Sequence, residues 1–280
     1  MSRLEDIRIR DPFFLKEEGV YYLYGTTDKN TWRGRGEGFN MYVSSDLEEW
    51  SEARQVFTPP ENFWADCNFW APEVWKYRNR FYMLASFKQT GGRRGVQIFS
   101  AAAPIGPFLP IGNKKPLTPS DWDCLDGTLY FEEERVYLVF SHEWTQIGDG
   151  VICAVELNQA LNGTVGDIIE LFRGSAPSWS VEHEEFGHRG YVTDGPFLIK
   201  GQITEMIWSS FSREGYALGR AYSKTGIHGK WEQEEQPLYV KDGGHGMVFR
   251  GLKEELLLTL HSPNEYGKER VKIVQYCGRK

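Results

Sequence analysis

One pattern recurs five times along this chain of 280 residues and limits the fold more than any other feature. Each copy has a polar residue at the start of an apolar segment, then a short turn of glycine, asparagine or charged residues. A second segment rich in Tyr, Phe or Trp follows, which is typical of β-hairpins. These second segments are residues 20–26, 80–87, 135–141, 203–209 and 255–261. Helical periodicity is hard to find, so the pattern predicts an all-β chain.

The copies follow one another at intervals of roughly 50 to 70 residues, which is the length of one blade of a β-propeller. They run from end to end without a linker, and no sequence remains for a sixth blade. We therefore predict a single domain, a five-bladed β-propeller over residues 1–280. Residues 7–9 could supply the last strand of the fifth blade and close the ring.

The start of each copy is expected to lie at the central axis, because a propeller directs the start of every innermost strand there. The five starts are Arg10-Asp11-Pro12, Trp70-Ala71-Pro72-Glu73, Asp126-Gly127-Thr128-Leu129, Asp194-Gly195-Pro196-Phe197 and Gly243-Gly244-His245-Gly246. Asp-Pro and Asp-Gly are common turn dipeptides, so each motif alone has a structural explanation. Their recurrence predicts instead that four carboxylates at equivalent blade positions meet around one site, namely Asp11, Glu73, Asp126 and Asp194.

Carboxylates gathered in this way suit the cleavage of a glycosidic bond. One carboxyl group donates a proton to the leaving oxygen, and another activates water or attacks the sugar. A third can keep the acid protonated, since a like charge raises the pKa of its neighbour. Glu143 in Ser141-His142-Glu143-Trp144 and Glu184 in a long loop are further candidates for the acid. Packing by Trp144 would raise the pKa of Glu143, although a Glu bonded to backbone at a strand end fits the same sequence.

Aromatic residues make up 15% of the chain, which suits both crowded β cores and sites where rings stack on sugars. Most of these rings are expected to pack between strands. Candidate sugar platforms are Trp32, Phe39, Trp70, Trp75, Trp144 and Trp179. Trp70 is the strongest of them because it directly precedes an innermost strand. The loops 27–40 and 173–190 are longer than a blade needs and are expected either to contact a ligand or to be surface excursions.

Composition disfavours several classes of partner and site. A net charge of −7 argues against nucleic acid and anionic membranes, which require a basic surface. The first residues include no apolar segment of a signal peptide, and no window is long enough to span a membrane, so a cytoplasmic location is expected. The four cysteines lack paired short spacings, which predicts isolated buried thiols rather than a zinc site or disulfides.

With these five motifs in this order, the chain resembles glycoside hydrolase family 43 over essentially its whole length. The resemblance implies an inverting hydrolase of short oligosaccharides with arabinofuranoside, xyloside or galactoside linkages. It also implies that Asp11 is the base that activates water, and that Asp126 orients the acid and tunes its pKa. The family's general acid is a Glu just before Gly-Pro on the fourth blade. This chain has Asp194 there, which is one methylene shorter.

The resemblance further implies that His245 can bind a metal ion, commonly calcium, through its water shell in the central channel. It implies no other cofactor. Trp70, Glu73, Trp144 and His245 are the candidates for substrate binding. The expected partner is a small oligosaccharide, and the sequence leaves the oligomeric state open.

Three other functions are compatible with the sequence to different degrees. A carbohydrate-binding propeller that has lost catalysis is compatible with the shorter side chain of Asp194. A retaining fructosidase-type relative is disfavoured because the chain lacks an Asn-Asp-Pro-Asn-Gly opening and a Glu-Cys pair. A protein-interaction propeller is disfavoured because the repeats lack Trp-Asp and kelch signatures.

Overall fold

Five antiparallel sheets surround one axis and form a single five-bladed β-propeller, as the repeat predicts. The computed structural model describes residues 1–29 and 31–278. The innermost strands of successive blades contact one another in ring order, and the last contacts the first. From the axis outward, the strands are Arg10–Glu17, Val20–Thr26, Phe39–Ser44 and Arg54–Phe57 in blade one, and Cys67–Tyr77, Arg80–Lys88, Arg94–Ala101 and Leu109–Pro110 in blade two. They are Cys124–Glu132, Arg135–His142, Val151–Leu157 and Thr164–Arg173 in blade three, and Asp194–Lys200, Thr204–Ser212, Gly215–Ser223 and Trp231–Gln233 in blade four. Blade five has three strands, Gly244–Arg250, Leu256–Ser262 and Arg270–Gln275.

Six shorter elements of the described chain, four strands and two helical turns, lie outside the blades. The strands Ser2–Arg3 and Glu49–Trp50 pair with each other, as do His183–Glu185 and His188–Gly190. The helices are one 3-10 turn, Leu4–Asp6, and one α-helical turn, Trp144–Ile147. The loop 173–190 was expected to be irregular and instead contains a hairpin.

The second strand of every blade lies where the repeat predicts it. The largest difference is in blade four, where the prediction was 203–209 and the strand is Thr204–Ser212. The predicted and observed strands agree because each hairpin turn joins neighbouring segments of the chain. Its turn residues interrupt the pattern of apolar residues, so the start of each strand can be read from the sequence.

The ring is closed by the N-terminal segment, as predicted for residues 7–9. Arg8 forms an antiparallel bridge with Arg270 of the third strand of blade five. The carboxylate of Glu269 is fully buried and pairs with both Arg8 and Arg10, each at 3.3 Å. The two ends of the propeller are therefore joined by a backbone contact and by a buried ion pair.

The core lies between neighbouring blades, where inward-facing rings pack edge to face. Phe57, Phe69, Phe87 and Phe99 form one such cluster between blades one and two. Cys124 and Cys153 are buried free thiols, as expected, but Cys67 is only half-buried and Cys277 is exposed. Among the described residues, no helix is long and apolar enough to cross a membrane.

The start of each innermost strand has the same unusual backbone. Five residues at equivalent places have φ between 48° and 55°: Asp11, Ala71, Asp126, Gly195 and His245. The pairing with the second strand slips at each of these places, which marks a bulge. Left-handed residues are costly for side chains other than Gly, Asn and Asp, and such strain is concentrated at functional sites.

This backbone corrects the predicted equivalence of the four carboxylates. Asp11 and Asp126 occupy the left-handed position, but Asp194 precedes it by one residue and Glu73 follows it by two. In blade four the left-handed position must be glycine. A Cβ on Gly195 would lie 2.7 Å from the ring of His245, in addition to the strain of positive φ.

The backbone N–H of each left-handed residue donates to a side chain of another blade. Thr26, Ser86, Ser209 and His261 occupy the same register position in the second strands of blades one, two, four and five. Each accepts the N–H from the next blade around the ring. Ser141 has this position in blade three, but the N–H of Gly195 donates to Asp126 instead. These bonds lock the inner ends of the blades together.

Candidate active site

A cavity of about 730 Å³ lies at the end of the propeller where the innermost strands begin. Asp11, Asp126, Asp194 and His245 all line it, so the structure brings together four of the residues singled out from the sequence. Glu143, Trp70 and Trp144 line it as well. Loop 27–40 contributes part of the wall through Trp32, and the hairpin within 173–190 contributes another part through Phe186.

Asp11 is surrounded by groups that favour its carboxylate form. Thr26 donates its hydroxyl to Oδ2 of Asp11 at 2.6 Å, and His245 Nδ1 lies 3.3 Å from Oδ1. Burial alone would raise the pKa of Asp11, but the attraction of His245 and of the adjacent Arg10 outweighs it. The pKa of Asp11 is therefore held below its ordinary value.

The backbone of Asp11 is held by a histidine that sequence reasoning missed. The N–H of Asp11 donates to Nδ1 of His261 at 3.2 Å, so Nε2 carries the ring proton and faces Asn264 Oδ1 at 3.3 Å. Burial, with the positive charge of Arg10, lowers the pKa of His261 to about 3. His261 is thus a neutral hydrogen-bond acceptor. The other blades have Ser or Thr at the same strand position, and this pattern in the sequence could have pointed to His261.

Asp126 interacts electrostatically with both Asp11 and Asp194. Its Oδ2 is 3.5 Å from His245 Nδ1 and accepts the N–H of Gly195 at 2.9 Å. Its own N–H donates to Ser86 at 2.8 Å. Burial raises the pKa of Asp126, and the negative charge of Asp11 adds to that effect.

Asp194 is partly open to the cavity and is bonded to a tyrosine that was also missed. The hydroxyl of Tyr216 donates to Asp194 Oδ2 at 3.0 Å, which leaves Oδ1 without that contact. Burial raises the pKa of Asp194, as does repulsion from Asp126, while the Tyr216 bond lowers it by less. Tyr216 lies on the third strand of blade four, with no motif in the sequence to single it out.

Glu143 is engaged in a buried ion pair that the sequence analysis did not foresee. Its Oε2 contacts Nη1 of Arg94, and it precedes the helical turn Trp144–Ile147. The ion pair occupies Oε2 of Glu143, so that oxygen is engaged by Arg94 rather than free to meet a leaving group. Glu184, the other alternative acid, is exposed on the hairpin and does not line the cavity.

The aromatic candidates divide into cavity wall and core. Trp32, Trp70 and Trp144 line the cavity. One face of Trp70 is covered by the guanidinium of Arg94 at 4.2 Å, and its indole N–H donates to Thr31 O. The other three candidates do not line the cavity and are corrected to packing positions. Phe39 is buried between blades one and two, Trp75 is half-buried and stacks on Phe197, and Trp179 is buried against Trp208 of blade four.

Glu73 does not line the cavity, although it was expected to bind substrate. It lies further along the innermost strand of blade two, where the indole N–H of Trp75 donates to its Oε2 at 2.8 Å. Burial raises its pKa to about 7. Its offset of two residues from the left-handed position explains why it is directed elsewhere.

The residues around His245 do not form a direct ligand set for a metal. Within 1–29 and 31–278, no group of three or more His, Cys, Asp and Glu residues is arranged to hold an ion. Nδ1 of His245 instead faces the carboxylates of Asp11 and Asp126. Calcium bound through a water shell stays a prediction.

Comparisons with known proteins match this chain to one family over nearly its whole length. Residues 6–277 match a model of Glycosyl hydrolases family 43. The structure of an endo-arabinase from Bacteroides thetaiotaomicron VPI-5482 superposes with a TM-score of 0.91 and 37% identity, covering 99% of this chain and 97% of that one. The structure of a thermostable family-43 glycoside hydrolase has a TM-score of 0.81 and 27% identity, covering 96% and 90% respectively.

A curated relative matches over a shorter span. The extracellular endo-alpha-(1->5)-L-arabinanase 1 of Bacillus subtilis (strain 168) is 24% identical over 151 residues, which are 50% of this chain and 45% of that protein. The match therefore covers less than half of that relative's length. Because its name describes an extracellular protein, the cytoplasmic location predicted from the sequence gains no support here and stays a prediction.

Proposed function

We propose that this chain, which belongs to glycosyl hydrolases family 43 and is a glycoside hydrolase, cleaves glycosidic bonds of short oligosaccharides with inversion. Asp11 is the base and Asp194 the acid, and residues 1–280 act as one catalytic domain. Family membership supports this enzyme over the alternative of a carbohydrate-binding propeller without catalysis.

The observation that supports this assignment most strongly is the contrast between the two carboxyl groups. The pKa of Asp11 is lowered by His245 and Arg10 against the effect of burial, whereas burial and Asp126 raise the pKa of Asp194. Two carboxyl groups whose surroundings separate their pKa values in this way are suited to opposite roles as base and acid.

In the proposed reaction, Asp11 removes a proton from a water molecule on the face of the sugar opposite the leaving group. The oxygen of that water bonds to the anomeric carbon as the bond to the leaving oxygen breaks. Asp194 gives its proton to that oxygen. The product sugar therefore has the inverted configuration, and each carboxyl group returns to its starting state by proton exchange with solvent.

Asp126 keeps the acid in place through a backbone contact as well as through charge. Its bond to the N–H of Gly195 holds the residue next to Asp194, while its charge raises the pKa of Asp194. Tyr216 holds the other side of that carboxyl group. Two such contacts favour a defined position for an acid that is shorter than the family's Glu.

We further propose that the substrate contains α-1,5-linked L-arabinofuranose. The support is the 37% identity to an endo-arabinase over nearly the whole chain, together with the partial match to an arabinanase. β-Xylosides and β-galactosides are the other linkages that the family suggests.

An activity screen with α-1,5-arabino-, β-1,4-xylo- and β-galacto-oligosaccharides tests this function. Asp11→Asn and Asp194→Asn are each expected to lower kcat by about 10²–10⁴-fold, the usual contribution of general acid–base catalysis. NMR of the first product is expected to show inversion, and retention would refute the mechanism. If Glu143→Gln lowers kcat and Asp194→Asn does not, Glu143 is the acid. If the unmodified chain binds the sugars without hydrolysing them, the non-catalytic alternative is favoured.

A further inference from the structure

Phe186 has a conformation that its residue type disfavours. It forms, with Gly187, the two-residue turn of the hairpin made by His183–Glu185 and His188–Gly190, and the two residues have φ of 52° and 78°. Turns with two positive φ values favour Asn, Asp and Gly at these positions. A bulky side chain there is uncommon and strained, so the local backbone does not account for a phenylalanine.

Burial does not account for it either. The side chain is 61% exposed, which makes Phe186 one of the most exposed large apolar residues of the described chain. An isolated exposed apolar residue needs no explanation. Phe186 differs because it lies in the wall of the cavity that holds Asp11, Asp126 and Asp194.

The hairpin that presents Phe186 is firmly held. His183 stacks on Phe211 with ring centroids 3.6 Å apart, and Trp144 packs against His183 at 5.9 Å. At the base of the hairpin, the N–H of Tyr191 donates to the backbone O of Gly148 at 2.9 Å. The backbone that carries the exposed ring is thus held in place by the residues on either side of the turn.

Phe186 extends a line of aromatic rings along the cavity. Trp70, at the start of an innermost strand, is 5.1 Å from Trp32, and Trp32 is 6.4 Å from Phe186. Trp32 lies in the loop of blade one and Phe186 between blades three and four, so they approach from opposite sides of the axis. Both rings line the cavity that holds the carboxylates. Phe186 is 61% exposed, whereas Asp11 and Asp126 are buried, so its ring lies nearer the mouth of the cavity than they do.

We propose that Phe186 is a substrate-binding residue that stacks on the C–H face of a sugar unit beyond the pair joined by the cleaved bond. This rests on the proposed function, whose site supplies the position of that bond. The ring would be retained, despite its strain, because it removes apolar sugar surface from water. The site therefore favours chains of three or more units over disaccharides.

The test compares Phe186→Asn, which suits the turn but lacks the ring, with Phe186→Tyr, which retains the ring. Val165→Asn is the control, since Val165 is an exposed apolar residue on the outer strand of blade three, outside the cavity lining. Binding of arabinotetraose and arabinobiose is measured by titration calorimetry in the Asp194→Asn background, so that no turnover is needed. Each protein's Tm is measured as well.

Phe186→Asn is expected to raise the Kd for arabinotetraose about tenfold, the size of effect that follows from losing the apolar contact of one ring. It should leave the Kd for arabinobiose unchanged and should not lower the Tm, because Asn is better suited to the positive φ of this turn. Phe186→Tyr and Val165→Asn should match the parent in both Kd values. This inference is wrong if the parent and Phe186→Asn bind arabinotetraose with equal Kd. It is also wrong if Phe186→Asn loses affinity for both sugars equally and has a lowered Tm. Neither result bears on the proposed catalysis. If binding depends on Phe186 but the unmodified chain never hydrolyses these sugars, this inference is supported and the proposed catalysis is wrong. Xylotetraose replaces arabinotetraose if the activity screen selects xylosides.

Discussion

Asp126 accepts the backbone N–H of Gly195 at 2.9 Å, in the place where every other blade uses a Ser, Thr or His from the second strand. The ring of inter-blade bonds is therefore altered at one point, next to the proposed acid Asp194. This substitution leaves the hydroxyl of Ser141 without a hydrogen-bond partner among the described residues. The contact couples the position of one catalytic carboxylate to that of another.

Asp126→Asn should shift the pH dependence of catalysis. An amide oxygen can still accept the N–H of Gly195, but the charge that raises the pKa of Asp194 is lost. The pKa of Asp194 then falls, so the alkaline limb of kcat/KM moves to lower pH, and kcat at neutral pH drops because a smaller fraction of the acid is protonated. Steady-state rates across pH check this, with exposed Asp167→Asn as a control that should leave the profile unchanged.

Tyr216→Phe should shift the same limb in the opposite direction. The phenol hydroxyl donates to Asp194 Oδ2 and stabilises the carboxylate, so its removal raises the pKa of Asp194. The alkaline limb of kcat/KM is expected to move to higher pH, with a loss in kcat of about tenfold from the freed side chain. An unchanged limb in both this variant and Asp126→Asn would show that Asp194 does not govern it.

Ser86→Ala and Ser141→Ala should differ in stability although they alter equivalent positions. Ser86 accepts the N–H of Asp126 at 2.8 Å, and without it a buried donor is left unpaired, which costs about 1–3 kcal/mol. Ser141 is buried and has no such partner within the described chain, so its replacement is not expected to lower the free energy of unfolding. Urea denaturation of the two variants measures the contrast, and equal losses would contradict the altered bond in blade three.

Glu73→Gln should make stability less dependent on pH. Burial raises the folded-state pKa of Glu73 to about 7 from an ordinary 4.5, so the folded state binds this proton more tightly than the unfolded state does. The resulting stabilisation is complete below pH 4.5 and is lost as pH rises through 7. Relative to the parent, the variant should gain up to about 3 kcal/mol between pH 5 and pH 8. Urea denaturation at both pH values checks this, and exposed Glu235→Gln should show no such gain.

Glu269→Gln should destabilise the closure of the ring. The carboxylate of Glu269 is fully buried and pairs with Arg8 and Arg10, so its loss leaves buried positive charge without a counter-ion. Removing one partner of a buried ion pair costs about 3–5 kcal/mol. The exposed pair of Glu182 and Arg189 provides the control, and Glu182→Gln should cost less than about 1 kcal/mol. If chemical denaturation shows that Glu269→Gln and Glu182→Gln lower the free energy of unfolding equally, the buried ion pair of Glu269 does not stabilise the closure of the ring.

Part of the site was predictable because its signal is local. The repeat of turn residues and apolar segments located all five blades, and the motifs at their starts located Asp11, Asp126, Asp194 and His245 in one cavity. The offset of Glu73 was not predictable, because the left-handed residue at each strand start is a backbone property that Asp, Ala, Gly and His share here. Residue type alone does not reveal which member of each motif turns toward the axis.

The sequence by itself determined the number of blades, the order of the strands and the gathering of distant carboxylates, because hairpins form between neighbours in the chain and a propeller brings every strand start to one axis. The tertiary structure alone decided which groups surround each carboxylate. Arg94 pairs with Glu143 across 49 positions, His261 holds Asp11 across 250, and Tyr216 reaches Asp194 from another strand. These contacts depend on the packing of different blades or strands against one another. The same packing brings His245 and Arg10 to Asp11 and brings Asp126 to the buried Asp194, which separates the pKa values on which the proposed chemistry rests.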